Sequence, residues 1–89
     1  MWDWDEAKRQ ANLAKHGVDF VDIDRFDLSS ATTEPDHRRD YGEARVKLVG
    51  LLGDRLYVVI IAPRGERLRL ISFRKANERE KQTWNMPAE

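Results

Sequence analysis

The sequence predicts a single α+β domain with N-terminal helices, an antiparallel sheet of three to four strands and a short C-terminal helix. Three observations carry this expectation. Apolar residues recur at helical spacing early in the chain, three strand-like runs follow one another across two tight turns, and a capping pattern opens a last helix.

The first 18 residues read as one helix. Asp5 is placed to cap it, Glu6 sits in the first turn where the helix dipole favours an anion, and Gly17 fits the left-handed position that closes a helix. Ala7, Ala11, Ala14 and Val18 form the expected apolar stripe. Lys8, Asn12 and Lys15 recur on another face, with His16 one turn beyond Asn12. Phe20, Ile23 and Phe26 lie three apart and favour a second short helix, although residues 18–24 also alternate as a strand would. Residues 29–43 are polar, contain Pro35 and Gly42, and read as a loop with room for one short strand at 31–34.

The sheet follows. Residues 44–52 alternate, with Val46 and Leu48 on one face and Arg45 and Lys47 on the other. Gly53-Asp54 marks a hairpin turn. Residues 55–62 are apolar on both faces, as a central strand is. A second turn at 63–66 leads to residues 67–73, where Leu68 and Leu70 alternate with Arg67 and Arg69. Asn77 and Glu80 then form a capping-box pattern for a helix to about Trp84, and Pro87 ends the order.

The 89 residues, 1–89, suit one domain. The chain has no cysteine, which excludes disulfides, thiolate metal sites and a cysteine nucleophile. A secreted domain of this size is usually stapled by disulfides. No signal-like opening is present, and the near-apolar run 56–62 is too short to span a bilayer. A cytoplasmic protein without a membrane partner is expected. Only two histidines occur, far apart and without carboxylates at ligand spacing, so no metal is expected, and no Gly-rich phosphate loop or other cofactor motif is present.

Sixteen basic and sixteen acidic residues cancel, but unevenly. Residues 1–43 carry six Lys/Arg against eleven Asp/Glu, a net of −5; residues 44–89 carry ten against five, a net of +5. A zero total therefore conceals a basic half. Its centre is the strand set Arg45, Lys47, Arg67, Arg69, Arg74 and Lys75. Guanidiniums on an open sheet face match phosphate oxygens and can stabilise charge growing on a phosphoryl group. They also serve as an ordinary solvated face, and pattern alone leaves both readings standing. His16 has a parallel pair of readings: a general acid or phosphate contact whose pKa the helix C-terminus raises, or a residue facing the last carbonyls. His37, beside Arg38 and Arg39, reads as surface. Ser72 lacks the sequence context of a hydrolase nucleophile and suits a hydrogen bond at the strand end or a phosphate contact. Trp2, Trp4 and Trp84 serve either as packing or as stacking platforms for bases.

Three segments in order also resemble a known family. Trp4-Asp5-Glu6-Ala7-Lys8, Asn12 and Lys15-His16-Gly17-Val18 are similar to the W-D-x-x-K-x-x-x-N-x-x-K-H-G-V opening of BrnT toxins. Gly42-Glu43-Ala44-Arg45 with Leu48-Val49-Gly50 resembles their G-E-x-R segment. Residues 67–76 followed by Glu80 resemble their R-x-R-[IL]-I-S-x-R-[KR]-A-x-x-x-E ending. The likeness spans nearly the whole chain. Phe73 departs from it, standing where a small Ala is common, and nothing is carried over at 29–41.

The resemblance implies a RelE-like fold and a metal-independent endoribonuclease that arrests growth. It also implies a BrnA-type antitoxin that neutralises the toxin and, together with it, represses the operon, contacting operator DNA through the antitoxin. Cleaving RNA without metal needs a base for the 2′-hydroxyl, an acid for the leaving 5′-oxygen and cations around the phosphorus. On that expectation Arg45, Arg69 and Arg74 surround the phosphate. Lys15, His16 and Lys75 are acid or base candidates, Lys8 and Arg67 hold the RNA backbone, Ser72 contacts the phosphate, and Glu43 is a reserve base. Strict alternation would place Ser72 and Arg74 opposite Arg67 and Arg69, so this site requires a bulge near Ile71 or a turn before Arg74. The rival expectations are a non-enzymatic protein-binding module and an inactive toxin that only co-represses.

Overall fold

The structure is a computed structural model and describes residues 1–37 and 42–84. Its elements run β1 (Trp2–Asp3), α1 (Glu6–His16), a 3-10 helix (Phe20–Arg25), β2 (Phe26–Pro35), β3 (Val46–Leu52), β4 (Arg55–Arg64), β5 (Arg67–Lys75) and α2 (Glu78–Trp84). Among the described residues the sheet has five strands in the order β1-β5-β4-β3-β2, where three to four were expected. The fold is α+β as expected, and β4 is the central strand that its apolar run predicted. The β2–β3, β3–β4 and β4–β5 pairings are antiparallel, whereas β1 runs parallel to β5.

Both extra strands come from segments read otherwise. Trp2 and Asp3 pair with Leu68 and Arg69 instead of extending the first helix. Residues 26–35 form a ten-residue edge strand, not a loop, and the short strand expected at 31–34 is its second half. Between the Asp27–Leu51 and Thr32–Val49 pairs, residues 28–31 of β2 bulge against the single residue Gly50. A side chain at Gly50 would meet Phe26 Cζ and Ser30 Oγ at 3.0 Å, so the bulge and the glycine require each other.

α1 begins and ends where the sequence places it. Asp5 accepts from the Ala7 N–H at 2.8 Å, and Gly17, at φ 70°, sends its N–H to the Leu13 carbonyl. Its buried face differs from the expected one. Ala7, Ala11 and Ala14 are exposed, and Asn12 is the buried residue of the helix. The segment after it forms the helix alternative, in 3-10 geometry, capped by Asp19 and tied back to α1 by an Arg9–Asp19 ion pair at 2.8 Å.

The main core lies between one sheet face and these helices. Phe20, Val59, Leu70 and Phe73 are completely buried there, alongside Val18, Ile23, Phe26, Leu48 and Ile61. Phe73, the departure from the family pattern, fills this core with edge-to-face contacts to Phe26 and Tyr57. Trp2 and Trp4 pack against the same cluster. On the other face α2 covers a smaller cluster of Val49, Val58, Ile60 and Ala76, with Trp84 packed against it. The capping box is present: Asn77 Oδ1 accepts from the Glu80 N–H, and Glu80 Oε1 from the Asn77 N–H, each at 2.8 Å. Pro87 lies outside the described residues.

Candidate active site

The bulge that the site required is in β5. Ser72 pairs with Ile60 and Leu70 with Ile61, which leaves Ile71 as the extra residue. Before the bulge Arg67 and Arg69 stand opposite Arg64 and Ala62; after it Ser72 and Arg74 stand opposite Ile60 and Val58. These partners alternate along β4, so Arg67, Arg69, Ser72 and Arg74 share one face. Leu70 and Phe73 point together into the main core. Lys47 joins the cationic face through its pairing with Ile60, and Arg45, two residues earlier, has the same parity. Lys75 does not. It pairs with Tyr57, whose ring packs in the main core, and so falls on the opposite face at the exposed strand end.

The cations on this face are not bare. Glu80, the buried residue of α2, accepts from both terminal nitrogens of Arg74 at 2.9 and 2.8 Å and from Lys47 Nζ at 2.9 Å. These contacts lower the Glu80 carboxyl pKa to about 2, the Arg74 fork being the largest cause. Arg74 Nη1 also donates to the Lys75 carbonyl, while its Nε makes no hydrogen bond among the described residues. Arg69 is held differently. Its Nε lies 3.6 Å from Asp3 Oδ1, too far for a hydrogen bond, and both atoms are buried without a hydrogen-bond partner among the described residues. Arg67 is 3.8 Å from the same carboxylate. Glu43 sits 3.8 Å from Arg45 and 3.1 Å from Arg64.

The first helix meets the site along the edge of β5. β1 covers that edge only as far as Arg69, and Asn12 takes over further along. Asn12 Oδ1 accepts from the Phe73 N–H at 3.2 Å, and its Nδ2 donates to the Phe73 carbonyl at 2.8 Å and to Val18 O at 3.0 Å. One side-chain amide thus replaces a neighbouring strand and fixes α1 beside Arg74. His16, one turn on, lies within the field of Arg74. Its pKa is lowered from 6.5 by burial first, then by Lys15 and Arg74. The expected upward shift from the helix C-terminus is therefore overturned, because burial and two adjacent cations outweigh the dipole. Lys8 and Lys15 are exposed and without ion pairs among the described residues. His37 is exposed, as read.

Four participants escaped the site read from sequence. Glu80 carried a signal for its cap but none for the fork to Arg74. Asp3 needed the parallel β1, Asn12 stood in the stripe with Lys8 and Lys15 without a role, and Lys47 appeared in the charge pattern without a role. Among the described residues no three His, Asp or Glu side chains gather as a metal-holding set, and no helix is long and apolar enough to cross a membrane.

No curated protein sequence matches this one significantly. The family model described as "Ribonuclease toxin, BrnT, of type II toxin-antitoxin system" matches residues 4–80, a stretch that contains α1, the bulged β5 and Glu80. The chain belongs to the BrnT family of ribonuclease toxins of type II toxin–antitoxin systems.

Proposed function

We propose that the chain cuts RNA without a metal, by attack of a 2′-hydroxyl on the adjacent phosphorus at the face of β5. The observation that carries this reading is the bulge at Ile71, which sets Arg69, Ser72 and Arg74 on one face beside a His16 biased toward its neutral form. The neutral imidazole takes the 2′-hydroxyl proton. The O2′–P bond forms, the P–O5′ bond breaks, and the leaving oxygen takes a proton from a cationic neighbour, for which Lys15 stands next to His16. Arg69 and Arg74, with Arg45 two strands away, offset the charge that develops on the phosphoryl oxygens. Ser72 contacts the phosphate, and Lys8 and Arg67 hold the flanking backbone. The opposite face of Lys75 makes it a backbone contact, not an acid or base.

The fold, with helices leading into a sheet whose four longer strands are antiparallel, supports a RelE-like assignment. A protein antitoxin follows from the family, and we assign a BrnA-type partner that silences the toxin in the cytoplasm and, with it, represses the operon through its own DNA contacts. Incubating the purified protein with RNA in EDTA tests the chemistry. The expected result is cleavage leaving 2′,3′-cyclic phosphate ends, reduced about 100-fold or more by Arg69→Ala. Equal cleavage by wild type and Arg69→Ala would refute the site. A second reading, a co-repressor without activity, draws on the carboxylate pairing of Arg74 and Lys47. Absence of cleavage both alone and with ribosomes would favour it.

A further inference from the structure

On the same sheet face as the guanidiniums, a cleft of about 240 Å³ opens between α2 and the β2–β3 edge. It is lined by Thr32, Glu34, Lys47, Glu80, Thr83 and Trp84. The register fixes its place relative to β5: Ser72, Ile60, Lys47 and Glu34 stand in one row across β5, β4, β3 and β2. Three strand spacings, roughly 14 Å, separate the two ends of that row. Lys47 and Arg74 offset the charges of Glu34 and Glu80, so the cleft carries no excess positive charge to draw a phosphate, and its size suits a base.

Its polar groups define which base. Glu80 is fully engaged by Arg74, Lys47 and the Asn77 N–H, and Thr83 Oγ1 is turned to the Arg79 and Glu80 carbonyls. Glu34 is different. Its side chain is 63% exposed and, among the described residues, its nearest ion-pair partner is Lys47 Nζ at 3.7 Å, beyond hydrogen-bond distance, so both carboxylate oxygens can accept. Lys47 and Glu34 are direct cross-strand partners and present an ammonium donor beside two carboxylate acceptors. Guanine has the complementary edge, with O6 as acceptor and N1–H and N2–H as donors, side by side. Uracil offers a carbonyl on each side of its N3–H, and adenine and cytosine place a ring acceptor where the carboxylate would need a donor. Trp84 supplies a flat, anchored surface, its Nε1 donating to the Ser30 carbonyl at 3.1 Å. The cleft is smaller than a drug-sized pocket and suits one ring system.

We infer that this cleft is a guanine subsite for the RNA substrate, with Glu34 and Lys47 reading the base edge and Trp84 stacking on it. The inference rests on the ribonuclease reading for what delivers the guanine, but base binding can be measured without cleavage. Guanosine and uridine are titrated into isotope-labelled full-length protein, and cleavage sites are mapped on RNA. Guanosine is expected to move the Trp84 indole N–H resonance and the amides around Glu34, binding at least roughly tenfold tighter than uridine. Glu34→Gln is expected to erase that difference and to scatter cuts that otherwise keep a constant offset from guanosine. Equal binding of the two nucleosides, or shifts elsewhere, would overturn the inference. So would guanosine binding with cuts indifferent to guanosine, which would mark a site for free guanine nucleotide. Undiminished cleavage by Arg69→Ala would instead refute the catalytic site while the titration still decides the cleft.

Discussion

Arg69 and Arg74 stand on one strand, on one face, on either side of one bulge, and the protein holds them in opposite ways. Arg74 is gripped by a buried carboxylate through two short hydrogen bonds, and that carboxylate is itself locked in the capping box of α2. Arg69 has a carboxylate within 3.6 Å but no hydrogen bond to it, and the carboxylate comes from a two-residue strand near the N-terminus. Arg74 is part of the scaffold and offers a substrate only the donors that Glu80 leaves. The charge of Arg69 is available at little expense to the fold. Neutral sheets of charge on a surface can therefore conceal very different readiness to bind an anion.

Substitution separates the two. Arg69→Ala is expected to lower RNA cleavage by about 10²–10³ while leaving the thermal midpoint nearly unchanged. Arg74→Ala is expected to lose cleavage to a similar degree and also about 1–3 kcal/mol of stability, because Glu80 loses its main partner while still buried; chemical denaturation beside the activity assay checks this. Equal stability of the two variants would break the comparison.

The acid limb sharpens it. The Glu80 carboxyl titrates at about 2 in the fold against an ordinary 4.5, so its ionised form stabilises the native state above pH 4.5 and that contribution is lost as pH falls toward 2. The expected loss is on the order of 3 kcal/mol, and Glu80→Gln should flatten the decline in denaturation midpoints over that range. Activity has its own limb. Burial, Lys15 and Arg74 hold the His16 pKa below the ordinary imidazole range, so cleavage should persist through that range and fall only at lower pH, and His16→Gln should remove the limb together with about 100-fold of the rate. A limb that persists in the variant would assign the base elsewhere. Smallest of all, Ala11→Lys on the exposed stripe of α1 should change stability by no more than about 0.5 kcal/mol, whereas Asn12→Ala should cost roughly 1–3 kcal/mol by leaving the Phe73 N–H and carbonyl unmatched.

Much of this is legible in the sequence. The caps of α1 and α2, the two turns and the central position of β4 are written in local residue choice: Asp5, Gly17, the Asn77–Glu80 pair, Gly53-Asp54, and an apolar run on both strand faces. The need for a bulge near Ile71 was legible too, because the parity of Arg69 and Arg74 demands one if they are to share a face. β2 was hidden because an edge strand exposed along most of its length has no reason to alternate, and its polar residues look like a loop. Asn12 was hidden because a polar residue on a helix reads as solvent-facing unless something polar awaits it.

Sequence by itself determined where helices start and stop, which strand is central, and that positive charge gathers in the second half. Tertiary structure alone decided which carboxylate meets which guanidinium, and which face of α1 turns inward. The reason is the range of the interactions. Caps, turns and side-chain parity act within a few residues along the chain, whereas Asp3–Arg69 and Asn12–Phe73 join positions about sixty or more residues apart that meet only once β5 has an edge to offer.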